Sequence, residues 1–204
     1  ASALWTRQKS EITEDEYNEF YKHVGHDLSD PMATIHSHLE GKYEYSLLLF
    51  LPERAPFDLW DREAKHGVKL YVRRVFITES SENLVPRYLR FMRGIVDSSD
   101  LPLNISREML QQNQVIRAIN KGIVNKTLGL LEGMFKNDQE KYAKFWRAFG
   151  QVLKEGIFED TANTARLSKL FWFRSTHDAG EEEKTSLADY VERMQEGQDK
   201  IYYV

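Results

Sequence analysis

The run Tyr43–Leu51, YEYSLLLFL, constrains the fold more than any other stretch of this chain. It carries a single charge, Glu44, and stops at Pro52. A short apolar run bounded by a breaker reads as a buried strand. Val68–Ile77, VKLYVRRVFI, reads as another strand, expected beside the first, with Arg73 and Arg74 on opposite faces. Before and after these runs the apolar period is that of helices, so the chain is mixed. Thr13-Glu14-Asp15-Glu16 is a capping box, with Ile12 and Tyr17 spaced as a hydrophobic staple. Tyr17, Phe20, Tyr21 and Val24 continue the stripe.

Pro86–Met92 reads as a short helix and Ile95-Val96 as a strand end. From Ser106 a single helical spacing runs through Ile116, Ile119, Ile123, Leu128, Leu131 and Phe135. Asn137-Asp138 interrupts it and caps a helix over 139–155, which Gly156 is expected to end at the position after the cap. Beyond it lie a helix over 162–169, an aromatic strand over 170–173 and a charged loop over 178–184. Ser186 with Asp189 then starts a helix through Met194, closed by Gly197, and Ile201–Val204 reads as a final strand.

With 11 Phe, 10 Tyr and 4 Trp among 204 residues, there is ample material for a core. The absence of Cys excludes disulfides and thiolate metal sites and suits a reducing compartment. No apolar run approaches the roughly 20 residues of a membrane span. A net charge of -4 is too mild to imply nucleic acid as a default partner. The N-terminus shows no signal-peptide pattern and no initiator Met, so the chain is read as a piece of a longer cytoplasmic protein.

The stretch most suggestive of chemistry is 97–113, DSSDLPLNISREMLQQN. Asp and Ser favour turns, Pro102 holds Leu101 extended, and Asn104 and Ser106 are both candidate helix caps. Arg107 then places a cation in the first helical turn, against the macrodipole, at a cost of up to about 1 kcal/mol. A helix N-terminus with a guanidinium suits an anion, phosphate above all, and Gln111 shares the face of Arg107 at i+4. The plainer reading pairs Arg107 with Glu108, Asp100 or Asp97 and makes it a pin for the loop.

Other features carry both a plain and a functional reading. Phe57, Leu59 and Trp60 in the loop over 52–67 either fold back on the core or form an apolar binding patch. Lys69–Arg93 holds six basic and two acidic residues. That region could serve an RNA or scaffold surface, although it lacks regularly spaced aromatics. His23 with His26, and His36 with His38, could each offer two nitrogens to a metal. No third ligand accompanies either pair in sequence, so no metal site is expected. Nucleotide-binding glycine motifs and triad spacings are lacking, which argues against a self-contained enzyme of a common class.

The segments LPLNISREMLQQ (101–112), LYVRRVFI (70–77), APFDL (55–59) and IYY (201–203) resemble the heat-shock protein 90 chaperone family. KEGIFED (154–160) and the ending LADYVERMQEGQDKIYYV resemble its bacterial branch. The resemblance runs in order over nearly the whole chain and points to the family's middle domain. It implies an α/β (α+β) fold: an α-β-α sandwich of the ribosomal S5 domain 2-like type over 1–105, connecting helices over 106–156, and a small α-β-α subdomain over 157–204. It implies that Arg107 and Gln111 act on the γ-phosphate of ATP, bound with Mg2+ in a separate N-terminal domain. Phe57, Leu59 and Trp60 would hold client proteins, and Arg73 and Phe76 would face the nucleotide domain. By the same resemblance the full-length protein is a homodimeric ATPase served by possible co-chaperones, while this segment alone is monomeric and inactive. The alternatives are an RNA-binding or scaffold module and a stand-alone phosphate-handling enzyme.

Overall fold

A computed structural model describes residues 2–64, 67–79 and 82–204; Lys65 and His66 of the long loop and Ser80 and Ser81 of the basic region lie outside them. The chain divides into two compact units, residues 1–130 and 131–204.

The first unit is built on a five-stranded sheet: β1 (Ala33–Leu39), β2 (Tyr45–Leu51), β3 (Val68–Val72), β4 (Val75–Glu79) and β5 (Arg93–Ser98). Their order across the sheet is β1-β2-β5-β3-β4. The β3/β5 pair is parallel and the other neighbours are antiparallel. β2 is buried at every position, as its uninterrupted apolar run requires. On one face Leu48 and Phe50 pack against Ile12, Tyr17 and Tyr21, the last two on helix α1 (Glu14–Gly25). The capping box at Thr13 is present in both directions. On the other face Tyr45 meets helix α3 (Gln114–Asn137) at Gly122, where a Cβ would lie 2.1 Å from the Tyr45 hydroxyl. Helices on both faces make the α-β-α sandwich.

Three expectations for this unit change. β5 separates β2 from β3, so the two apolar runs are not neighbours. Val68–Ile77 is not one strand: the chain reverses at Arg73-Arg74, and Val72 pairs with Val75 across a two-residue turn. Both turn residues are left-handed, φ 46° and 68°, the geometry that matches strand twist in tight hairpins. No Asn-Gly or Asp-Gly pair announces that turn, which is why periodicity reads through it. The helical spacing after Ser106 is likewise split into α2 (Arg107–Gln112) and α3. Asn113 is extended, and its Oδ1 accepts from the amides of Val115 and Ile116, which caps α3.

In the second unit α4 (Gln139–Lys154) starts at Asp138, whose carboxylate accepts from the Lys141 amide. Its buried stripe includes Tyr142, Phe145, Trp146 and Phe149. Tyr142 lies against Phe135 and Trp172, with ring centroids 5.2 and 5.1 Å away, and its hydroxyl donates to the Leu170 carbonyl. Gly156 does not terminate α4 in a left-handed conformation; it begins one further turn, α5 (Gly156–Glu159). Helix α6 (Thr164–Leu170) leads into β6 (Trp172–Phe173), which pairs with β7 (Thr185–Ser186). Ser186 and Asp189 cap α7 (Leu187–Glu192) reciprocally. Residues 201–204 are exposed and form no strand: no ladder partner reaches them, and the Tyr202 amide donates to the Tyr190 hydroxyl instead.

Candidate functional site

β3 and β5 run parallel, and Val72 lies beside Ser98. The Arg73-Arg74 turn and the loop carrying Arg107 therefore leave the sheet at the same end. The loop is held from below. Ser98 Oγ accepts from the amides of Asp100 and Leu101, and the Asp100 carboxylate accepts from the Glu44 amide at 2.6 Å. Leu101, Ile105 and Leu110 are buried anchors. Ser106 caps α2 by accepting from the Met109 amide.

Above these anchors Arg107 and Gln111 are exposed, one turn apart on the same face of α2. Among the described residues neither side chain makes a hydrogen bond or ion pair. Among the described residues Glu108 makes no ion pair with Arg107, and the other two residues that could pin it are occupied elsewhere. Asp97 accepts from Trp5 Nε1 at 2.8 Å and from the Arg74 amide, and Asp100 holds Glu44. The structural-pin reading of Arg107 therefore has no contact behind it, and the cation stands in a first turn that disfavours it.

The hairpin turn shows the same conflict. Non-glycine residues in the left-handed region cost about 1–2 kcal/mol each. The backbone is fastened there: the Arg73 amide donates to Ser98 O at 3.1 Å and the Arg74 amide to the Asp97 carboxylate. Both guanidinium side chains extend into solvent and, among the described residues, bond to nothing. Next to them Phe76 is half-exposed. It ends a line of rings in which Trp5 lies 4.9 Å from Tyr71 and Tyr71 lies 5.7 Å from Phe76. Sequence reading missed Trp5 and offered Asp97 to Arg107, whereas Asp97 takes the Trp5 indole and joins the N-terminal segment to this sheet end; nothing local marks that long-range pair.

The loop after β2 resolves residue by residue. Leu59 is only 3% exposed and packs inward, so it cannot stand in a surface patch with its neighbours. Its carbonyl accepts from Arg90 Nε at 2.8 Å, and the Arg90 guanidinium lies 5.3 Å from the Trp60 ring centre. Phe57 is fully exposed and Trp60 more than half exposed. The two exposed rings thus stand on a loop whose anchor is Leu59. Arg90 itself is buried, and Arg93 turns to the carbonyls of Arg90 and Met92. The basic stretch over 69–93 is thus no continuous cationic face.

His36 is half-buried and held at both ring nitrogens: Nε2 faces the Trp5 carbonyl and Nδ1 the Tyr17 hydroxyl at 2.7 Å. Burial pushes its pKa below the ordinary imidazole value. A carbonyl only accepts, so Nε2 carries the proton and Nδ1 accepts from Tyr17. No helix is long and apolar enough to cross a membrane among the described residues.

A family model described as Hsp90 protein matches residues 1–204. The chaperone protein HtpG of Magnetococcus marinus is 64% identical over the whole of this chain, which covers 32% of that protein. HtpG of Dechloromonas aromatica is 61% identical with the same coverage. The chain thus spans about a third of the length of the curated relatives it matches. Among solved structures, the middle domain of a Plasmodium falciparum heat shock protein superposes with a TM-score of 0.87 at 33% identity, covering 99% of this chain and 78% of that one.

Proposed function

Because the chain belongs to the heat-shock protein 90 family, we propose that it is the middle segment of an ATP-dependent chaperone and completes an ATPase site whose nucleotide is held by another domain. One observation carries the reading: Arg107 is an exposed, unpartnered cation on a loop anchored to the sheet from below. It is free to meet an anion from outside the chain. The γ-phosphate of ATP, bound with Mg2+ in an N-terminal domain, supplies one. A guanidinium brought up in trans stabilises charge on the transferring phosphoryl group, and Gln111, one turn on, orients the same group by hydrogen bonding.

Arg73 and Phe76 leave the sheet at the same end as this loop and form the surface on which the nucleotide domain docks. Phe57 and Trp60 contact unfolded client protein, with Leu59 as their anchor rather than a contact. The full-length protein acts in the cytoplasm as a homodimer through a C-terminal domain, with possible co-chaperones, while this segment alone is a monomer without ATPase activity. The buried Arg90 and inward Arg93 weaken the RNA reading. A stand-alone phosphate enzyme would need its own phosphate cradle beside Arg107.

The test is Arg107→Ala in the full-length protein. ATP turnover is expected to fall by roughly 10-fold or more with ATP affinity nearly unchanged, because the side chain acts on charge that develops during transfer. Wild-type turnover would overturn the assignment.

A further inference from the structure

We propose that His38, Glu40 and Glu44 form a binding site for one divalent transition-metal ion of the zinc or cobalt class. In sequence His38 shows no third ligand at helical or alternating spacing, because the carboxylates come from the loop that joins β1 to β2. Ladder pairing sets His38 opposite Ser46 and so brings both ends of that loop together. His38 Nε2 then lies 3.3 Å from a Glu40 oxygen and 3.0 Å from a Glu44 oxygen. One ligand atom of each residue falls within 4.8 Å of the others. Two ligands bound at about 2.0–2.2 Å with tetrahedral angles sit about 3.3–3.5 Å apart. The two histidine–carboxylate edges already match that spacing to within a few tenths of an ångström, and the carboxylates, both exposed on a loop, close the third.

The imidazole is also oriented from behind. Nδ1 lies 2.8 Å from Ser46 Oγ, and Ser46 is nearly buried on a strand whose positions are all buried. An outer partner on the second ring nitrogen is what fixes a metal-binding histidine. Lys42, in the same loop, is turned to the Tyr43 ring, 5.4 Å from its centre, rather than to either carboxylate. Arg73 and Arg74 line the same hollow as His38 and Ser46 and lower the affinity for any cation. One imidazole with two carboxylates suits a borderline ion better than Mg2+ or Ca2+, which take all-oxygen shells. Solvent exposure of all three residues leaves the remaining positions to water.

Titration of this chain with Zn2+ by calorimetry, and with Co2+ followed by its visible absorption, tests the site. One equivalent is expected, with a Co2+ spectrum of nitrogen–oxygen ligation. His38→Gln should abolish that one-site isotherm, and Ser46→Ala should weaken it about 10- to 100-fold. His23→Gln with His26→Gln should leave it unchanged. All three ligands are exposed, so far-UV circular dichroism should be identical across the variants. No saturable binding would overturn the proposal and leave His38 simply hydrogen-bonded between two carboxylates. So would binding that survives His38→Gln.

Discussion

Replacing Arg73 with Gly should stabilise the protein while impairing its function. Arg73 holds φ 46° in the hairpin turn between β3 and β4. A left-handed L-residue costs about 1–2 kcal/mol there, and Gly returns about 0.5–1 kcal/mol of that as extra unfolded-state entropy. The contact that fastens the turn, Arg73 N to Ser98 O, is made by the backbone and survives the change. The exposed guanidinium makes no bond among the described residues, so none is lost. The net expectation is a gain of about 0.5–1 kcal/mol, from the difference of those two terms. For a chain of this length that is an upward shift of roughly 1–4 °C in the thermal midpoint. Differential scanning calorimetry of this chain, wild type against variant, measures it. In the full-length protein the same variant should hydrolyse ATP more slowly, since the proposed docking surface loses a cation. A lower midpoint would show that the side chain holds the turn and would refute the strain argument.

Trp60→Ala in the full-length protein should weaken client binding without unfolding the loop, because Leu59 and Arg90 still anchor it; unchanged affinity for an unfolded model protein would remove Trp60 from the contact surface. His36 has a folded-state pKa below its unfolded value, so the unfolded chain binds the extra proton first. The stability it contributes is full above about pH 6.5 and is lost as the pH falls below that value. Thermal midpoints of wild type and His36→Gln between pH 7.5 and 5 should therefore converge as the pH drops, and parallel curves would refute the assignment. Asn113→Ala should cost about 1 kcal/mol by removing the cap of α3, read as a lower urea midpoint; no change would show that the cap contributes nothing.

Much of the architecture follows from period alone. The uninterrupted run in β2 demands cover on both faces, and α1 and α3 supply it. The capping boxes at Thr13 and Ser186 are local, so sequence suffices to place them. What sequence withholds is pairing at a distance. The insertion of β5 between β2 and β3 depends on a parallel crossover that no local pattern encodes. The Arg73-Arg74 reversal is disguised because its residues break the usual turn chemistry, and its backbone is held by Ser98 and Asp97 instead. The candidate site divides in the same way. The misplaced charge of Arg107 stands out against helix electrostatics, but its lack of a partner emerges only once Asp97 and Asp100 are seen to be engaged. Leu59 reads as one of three exposed apolar residues until the fold turns it inward.

This chain is proposed to complete an ATPase that it does not itself contain. Steady-state ATP hydrolysis by the chain alone, and then with the nucleotide-binding domain of the same protein added, tests it most directly. The expected result is no turnover alone and stimulated turnover in the mixture that Arg107→Ala abolishes. Hydrolysis by the chain alone, or stimulation that is indifferent to Arg107, would contradict the account.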